Sequence, residues 1–135
     1  MIKIGQHIVV AFSLFLLSSC FSGACDVIPN VTFHTSLNRG SHLNVYSAKG
    51  WVYATGGVCG LIVYNTGDGL MAYDRCSTVN PNAKNRVKVE ENVIIVDDDS
   101  GAKWLLLDGS PTDIAECSLR RYTVRKSGDN YIVSN

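Results

Sequence analysis

This 135-residue chain has no net charge and little proline or histidine, three of each. Its twelve basic and twelve acidic residues cancel, so no strong field would recruit nucleic acid or an anionic membrane surface. Three prolines stand against twelve glycines, and no fixed repeat is present, which excludes collagen-like, solenoid and low-complexity chains. Heptads and a 3.6-residue apolar stripe are also missing, which argues against helical bundles and coiled coils. No two cysteines are spaced Cys-x-x-Cys, so neither a thioredoxin-like motif nor a zinc knuckle is written here. What is present is ordinary for a folded domain, with 46% hydrophobic and 18% charged residues. The exception is cysteine. Five in a chain this short point to an exported, oxidising setting or to a metal site.

The amino terminus carries one fixed positive charge, Lys3, before an apolar run from Ile8 to Leu17 interrupted by Ser13 alone. As helix, such a run spans only about 15 Å, roughly half of a hydrocarbon core, which suits a secretory leader and not a membrane span. It ends in Leu17-Ser18-Ser19-Cys20, which resembles the lipobox of bacterial lipoproteins. The resemblance implies that residues 1–19 are a signal peptide and that Cys20 is acylated as the mature amino terminus. Cys25 fits that role less well, because Ser22 stands where the motif has an aliphatic side chain. Phe21 follows Cys20 instead of an inner-membrane-retaining aspartate, and no acidic run comes after it. The expected place is therefore the bacterial cell envelope, on the outer membrane facing the periplasm, with two or more acyl chains as a firm anchor. Residues 20–26 would then be an acylated tether, and residues 27–135 a single domain.

That domain reads as all-β. Val31, Phe33 and Leu37 alternate with polar residues after Pro29, and Trp51-Val52-Tyr53 is β-branched and aromatic. Gly60–Tyr64 and Leu70–Tyr73 flank Thr66-Gly67-Asp68-Gly69 as a hairpin, and Arg86–Val89 and Val93–Val96 flank Glu90-Glu91-Asn92 as another. Trp104–Leu107 ends at the turn Asp108-Gly109-Ser110-Pro111. A last hairpin, Tyr122–Val124 with Tyr131–Val133, turns through Lys126–Asn130. Short strands with turns at this spacing predict a small sandwich or barrel of antiparallel strands and hairpins.

The remaining motifs have modest readings. Cys25, Cys59, Cys76 and Cys117 are an even set for an oxidising compartment, and they allow three pairings into two disulfides. Asp97-Asp98-Asp99-Ser100-Gly101 lacks the ligand spacing of a calcium loop and reads as a solvated run of charge. Arg120, Arg121, Arg125 and Lys126 alternate between strand faces and form no single basic patch. Trp51, Trp104 and the tyrosines are expected in the core or in cross-strand pairs. No catalytic residue and no metal ligand set stand out.

The order of these pieces resembles the Rieske domain of iron–sulfur proteins, in particular small Rieske-like bacterial lipoproteins. Gly60–Tyr64 followed by Met71-Ala72-Tyr73-Asp74-Arg75-Cys76 resembles the hairpin carrying the first ligand loop. Ser100-Gly101-Ala102-Lys103-Trp104 resembles the segment after the second loop, and Asp108-Gly109-Ser110-Pro111 the family's Asp-Gly-x-Pro turn. Ile114–Tyr122 resembles the segment covering the cluster with the strand after it, and Ile28-Pro29-Asn30-Val31 fits the start of the domain. A Rieske [2Fe–2S] centre takes two thiolates and two imidazoles, from Cys-x-His and Cys-x-x-His loops. Carried over residue by residue, Cys76 keeps the first cysteine position, but Thr78 replaces the first histidine, Asp97 the second cysteine and Ser100 the second histidine. His7, His34 and His42 all precede Cys76, so none follows to substitute. The resemblance thus implies a Rieske-like fold without its cofactor, serving as a binding or structural module with an unnamed protein partner. The alternative is 2Fe–2S electron transfer, and a third is a thiol redox protein with a labile disulfide. The resemblance also sets Cys117 over the tip bearing Cys76, which implies a Cys76–Cys117 disulfide and, by remainder, Cys25–Cys59.

Overall fold

Wherever turn residues interrupt the period-two pattern, the chain reverses. In the computed structural model, which describes residues 25–135, β3 (Leu61–Asn65) returns as β4 (Leu70–Asp74) through a turn closed by Thr66 N–H donating to Gly69 O at 2.9 Å. β5 (Lys88–Glu90) returns as β6 (Ile94–Val96), with Glu91 and Asn92 both at positive φ, 52° and 58°. β9 (Arg121–Ser127) and β10 (Asn130–Ser134) meet across Gly128-Asp129. The signal peptide, Cys20 and the tether as far as residue 24 lie outside the described residues.

Two further strands differ from expectation. The ladder of β1 (His34–Leu37) begins only at His34, so Val31 and Phe33 precede it outside any strand. The apolar run at Trp104 pairs as β7 (Lys103–Leu105) and stops there. Leu105 already accepts from Gly109 N–H at 2.8 Å, which folds Leu106 and Leu107 into the turn. β8 (Pro111–Asp113), too short to be read from pattern, follows on the sheet edge, where proline's missing donor is tolerated.

With β2 (Trp51–Ala54) these make a six-stranded sheet, β1-β10-β9-β4-β3-β2, and a four-stranded sheet, β5-β6-β7-β8, every pairing antiparallel. The expected all-β architecture is the one found. The β3–β4 part of the larger sheet is covered on both faces, whereas alternate residues of β9 stay exposed. Ile62, Tyr64 and Tyr73 point toward Ile95, Trp104 and Leu106 of the small sheet and its turn. Leu61, Val63 and Ala72 point the other way, toward Leu37, Val45, Tyr122 and Val133. Burial on both sides explains why β3 is a continuous apolar run and not an alternating one. At one end of the sandwich four segments converge: the turn before β3, the loop after β4, the loop between β6 and β7, and the segment between β8 and β9.

Candidate functional site

The convergence is organised by Asp74, the last residue of β4, whose side chain is fully buried. Its carboxylate accepts hydrogen bonds from the backbone N–H groups of Val58 (2.6 Å), Cys59 (3.0 Å) and Cys76 (2.9 Å), and from the Tyr122 hydroxyl (2.6 Å). A buried carboxylate is tolerable only when its lone pairs are met in this way. Gly57, at φ +62°, lies so close to Asp74 Oδ2 and the Tyr122 ring that a Cβ there would collide with both. Burial and the neighbouring Asp74 carboxylate both push the Tyr122 phenol upward, so it stays a neutral donor.

By drawing in the N–H groups of Cys59 and Cys76, Asp74 sets these cysteines side by side, with Cα atoms 5.0 Å apart, and they form a disulfide. The second disulfide joins Cys25 to Cys117, with a Cα separation of 5.2 Å. The Cys76–Cys117 and Cys25–Cys59 pairing implied by the Rieske resemblance is therefore corrected, although all four cysteines are bonded. The reason is local. Asp74 Oδ1 accepts from the N–H groups of both Cys59 and Cys76, which holds the turn bearing Cys59 beside Cys76.

Each of the other positions that would carry cluster ligands is likewise committed to a protein neighbour. Thr78 Oγ1 donates to Cys117 O at 2.9 Å, and Trp104 Nε1 donates to the same carbonyl at 2.8 Å. Asp97 is buried, not solvated as its acidic run suggests. It accepts from Ser100 Oγ at 2.7 Å and from Asp99 N–H at 3.0 Å. Burial pushes its carboxyl up, but hydrogen bonds from the Ser77 and Ser100 hydroxyls and the Asp99 and Ser100 backbone outweigh that, holding it below the usual carboxylate range. The other aspartates of the run find separate partners. Asp98 pairs with Lys88 at 2.8 Å, and Asp99 accepts from Asn85 Nδ2 at 3.0 Å.

The amino-terminal strap is sewn over this end by Arg120. Its guanidinium donates from Nη1 to Asp26 Oδ1 (3.0 Å) and Ile28 O (3.1 Å), and from Nη2 to Asn30 Oδ1 (3.0 Å). Arg120 is thus an internal fastener, while Arg121 grips the Asp108 carbonyl. Cys25 and Asp26, at the end of the expected tether, are held to the domain by the disulfide and this arginine.

Could this end hold a metal? Among the described residues one trio of candidate donors, Cys59, Asp74 and Cys76, falls within 4.8 Å. Both sulfurs are spent in their disulfide, and the carboxylate already accepts four hydrogen bonds. The four cluster positions offer one bonded sulfur, two hydroxyls and one carboxylate, with no imidazole. That donor set does not fit a Rieske [2Fe–2S] centre. His34 sits on β1, paired with Ser134, and His42 lines a cleft beside β2; neither belongs to this end.

No protein-family model matches the chain, and the search of curated proteins found no match. The likenesses found are to solved structures. One is a chain described as the small subunit of an NADH-dependent nitrite reductase from Mycobacterium tuberculosis, with 16% identity and a TM-score of 0.47 over 78% of this chain and 97% of that one. Another is described as the small subunit of an NADPH nitrite reductase, with 6% identity and a TM-score of 0.46 over 75% and 97% of the two chains. At identities of 16% and 6%, neither likeness reaches function.

Proposed function

We propose that this chain is a bacterial envelope lipoprotein, acylated at Cys20, whose Rieske-like β domain carries no cluster and serves as a binding or structural module. The observation that supports this reading is the state of the four ligand positions. Cys76 is in a disulfide, Thr78 donates to a backbone carbonyl, and Asp97 and Ser100 bond each other. A site whose donors satisfy one another has no need of a metal to hold its loops together, and its role must be sought elsewhere on the surface.

The test is anaerobic reconstitution of the exported protein with ferrous iron and sulfide, followed by iron analysis and visible absorption. The reading expects no stoichiometric iron and a colourless protein. Rieske-like absorption with two irons per chain would replace it with electron transfer. Labelling with palmitate tests the anchor: incorporation should vanish in Cys20→Ala, and label persisting in that variant would move the acceptor to another residue.

A further inference from the structure

On the flank of the large sheet, away from the cysteines, an open cleft of about 1140 Å³ lies beside β2. Its floor is Trp51, Tyr53 and Tyr64; one wall is residues 41–44 and 47–50, on either side of the buried Val45, and the other is the β5–β6 turn at Asn92 and Val93. The volume lies just above the roughly 300–1,000 Å³ of small-molecule pockets, as expected of an open cleft. Two aromatic rings are fixed through their polar atoms. Trp51 Nε1 donates to Asn92 Oδ1 at 2.9 Å across the cleft, and the Tyr53 hydroxyl accepts from Val89 N–H at 3.0 Å. The Arg75 guanidinium stacks 3.8 Å from the Tyr53 ring centroid, and Trp51 and Tyr53 meet edge to face at 4.9 Å. With their polar ends engaged, these rings offer the cleft apolar surface in a set orientation.

Both walls hold a non-glycine residue in the left-handed region: Lys49 at φ 69° on one side and Asn92 on the other. Such conformations cost energy and gather at binding sites. His42 lines the cleft, and its Nδ1 is buried without a hydrogen-bond partner among the described residues. Leu43 and Val93, 60% and 55% exposed, stand at the rim. Among the described residues, no carboxylate lines the cleft, and Lys49 is its one fixed charge.

We propose that this cleft binds an uncharged saccharide, a sugar ring lying on the Trp51 indole with its hydroxyls meeting His42, Asn44 and Ser47. The class follows from the lining. Imidazole, amide and hydroxyl groups each present both donors and acceptors, as a polyol requires, while the rigid aromatic floor suits the C–H face of a ring. A polyanion would need more than one cation, and a cationic ligand would need a carboxylate; the lining has neither pattern.

Tryptophan emission gives the readout. Trp104 is fully buried and Trp51 half-buried, so a ligand in the cleft perturbs Trp51. The full-length exported chain in detergent is titrated with cellobiose, maltose and N,N′-diacetylchitobiose. At least one is expected to give a saturable emission change. By calorimetry that sugar should bind about tenfold more weakly to Trp51→Leu and to His42→Ala, the loss expected of a stacked ring or a polar anchor, and unchanged to Lys126→Ala. Silence toward all three sugars overturns the proposal. So does wild-type affinity in both cleft variants, or an emission change produced by an aromatic peptide and by none of the sugars.

Discussion

Replacing Asp74 with alanine tests how the cysteine-bearing end is held together. The side chain is fully buried and accepts four hydrogen bonds. Truncation leaves three backbone donors and one phenol without an acceptor. Each orphaned buried donor costs about 1–3 kcal/mol, and water entering the vacated space recovers part of it. An overall loss of about 4 kcal/mol is expected, a large share of the roughly 5–15 kcal/mol a domain possesses. Asp74→Asn keeps one carbonyl oxygen at nearly the same volume, and should lose about half as much. Urea unfolding of oxidised proteins reads both; with a slope of about 1–2 kcal/mol per molar urea, the alanine variant's midpoint should fall by about 2–4 M. A loss below about 1 kcal/mol in the alanine variant would refute the argument, because it would mean that Val58, Cys59, Cys76 and Tyr122 do not depend on this carboxylate.

Other expectations follow from the same geometry. Asp97 is held below its ordinary value of 3.8 by its hydrogen bonds. Its contribution is therefore complete above the unfolded value and lost as pH falls through the lower folded value; Asp97→Asn should flatten the acid limb of stability against pH below about 4, and an unchanged limb would count against a stabilising role for the hydrogen bonds from Ser100 and Asp99. Opening Cys25–Cys117, which spans 92 residues, in a Cys25→Ser/Cys117→Ser double variant should cost up to about 4.6 kcal/mol on the chain-entropy scale, against about 3 kcal/mol for Cys59→Ser/Cys76→Ser, which spans 17. Limited proteolysis should then cut the strap near Asp26 in the first variant alone. Ile114 is 60% exposed at φ 64°, a conformation β-branched residues resist, so Ile114→Gly should raise the unfolding free energy by about 1 kcal/mol; a clear loss would show that the side chain is needed where it sits.

The hairpins were legible because their turns are written in glycine, asparagine and aspartate at short range. The closure of the large sheet was not. The β1–β10 and β4–β9 pairings join segments far apart in sequence, and no local pattern encodes them. The ligand-position residues could be named from the resemblance, but the disulfide partners could not be chosen among three pairings. That choice depends on Asp74, a residue with no periodic or motif signal. Its one trace in the sequence is Gly56-Gly57, where a turn must approach another group closely. Asp97 misled for a related reason: in an acidic run, nothing in the residue types distinguishes the inward carboxylate from its two outward neighbours. The cleft beside β2 was invisible, because Trp51 and Tyr53 read as ordinary cross-strand aromatics until the Asn92 turn is set opposite them.

The central claim is that the loops of this domain are fastened by disulfides and hydrogen bonds where the Rieske resemblance would set a cluster. Native mass spectrometry of the exported protein, purified without reductant or chelator, tests it in one spectrum. The account predicts a single species at the metal-free mass with both disulfides intact. A species heavier by two irons and two sulfides, with the Cys59–Cys76 bond absent, would contradict it.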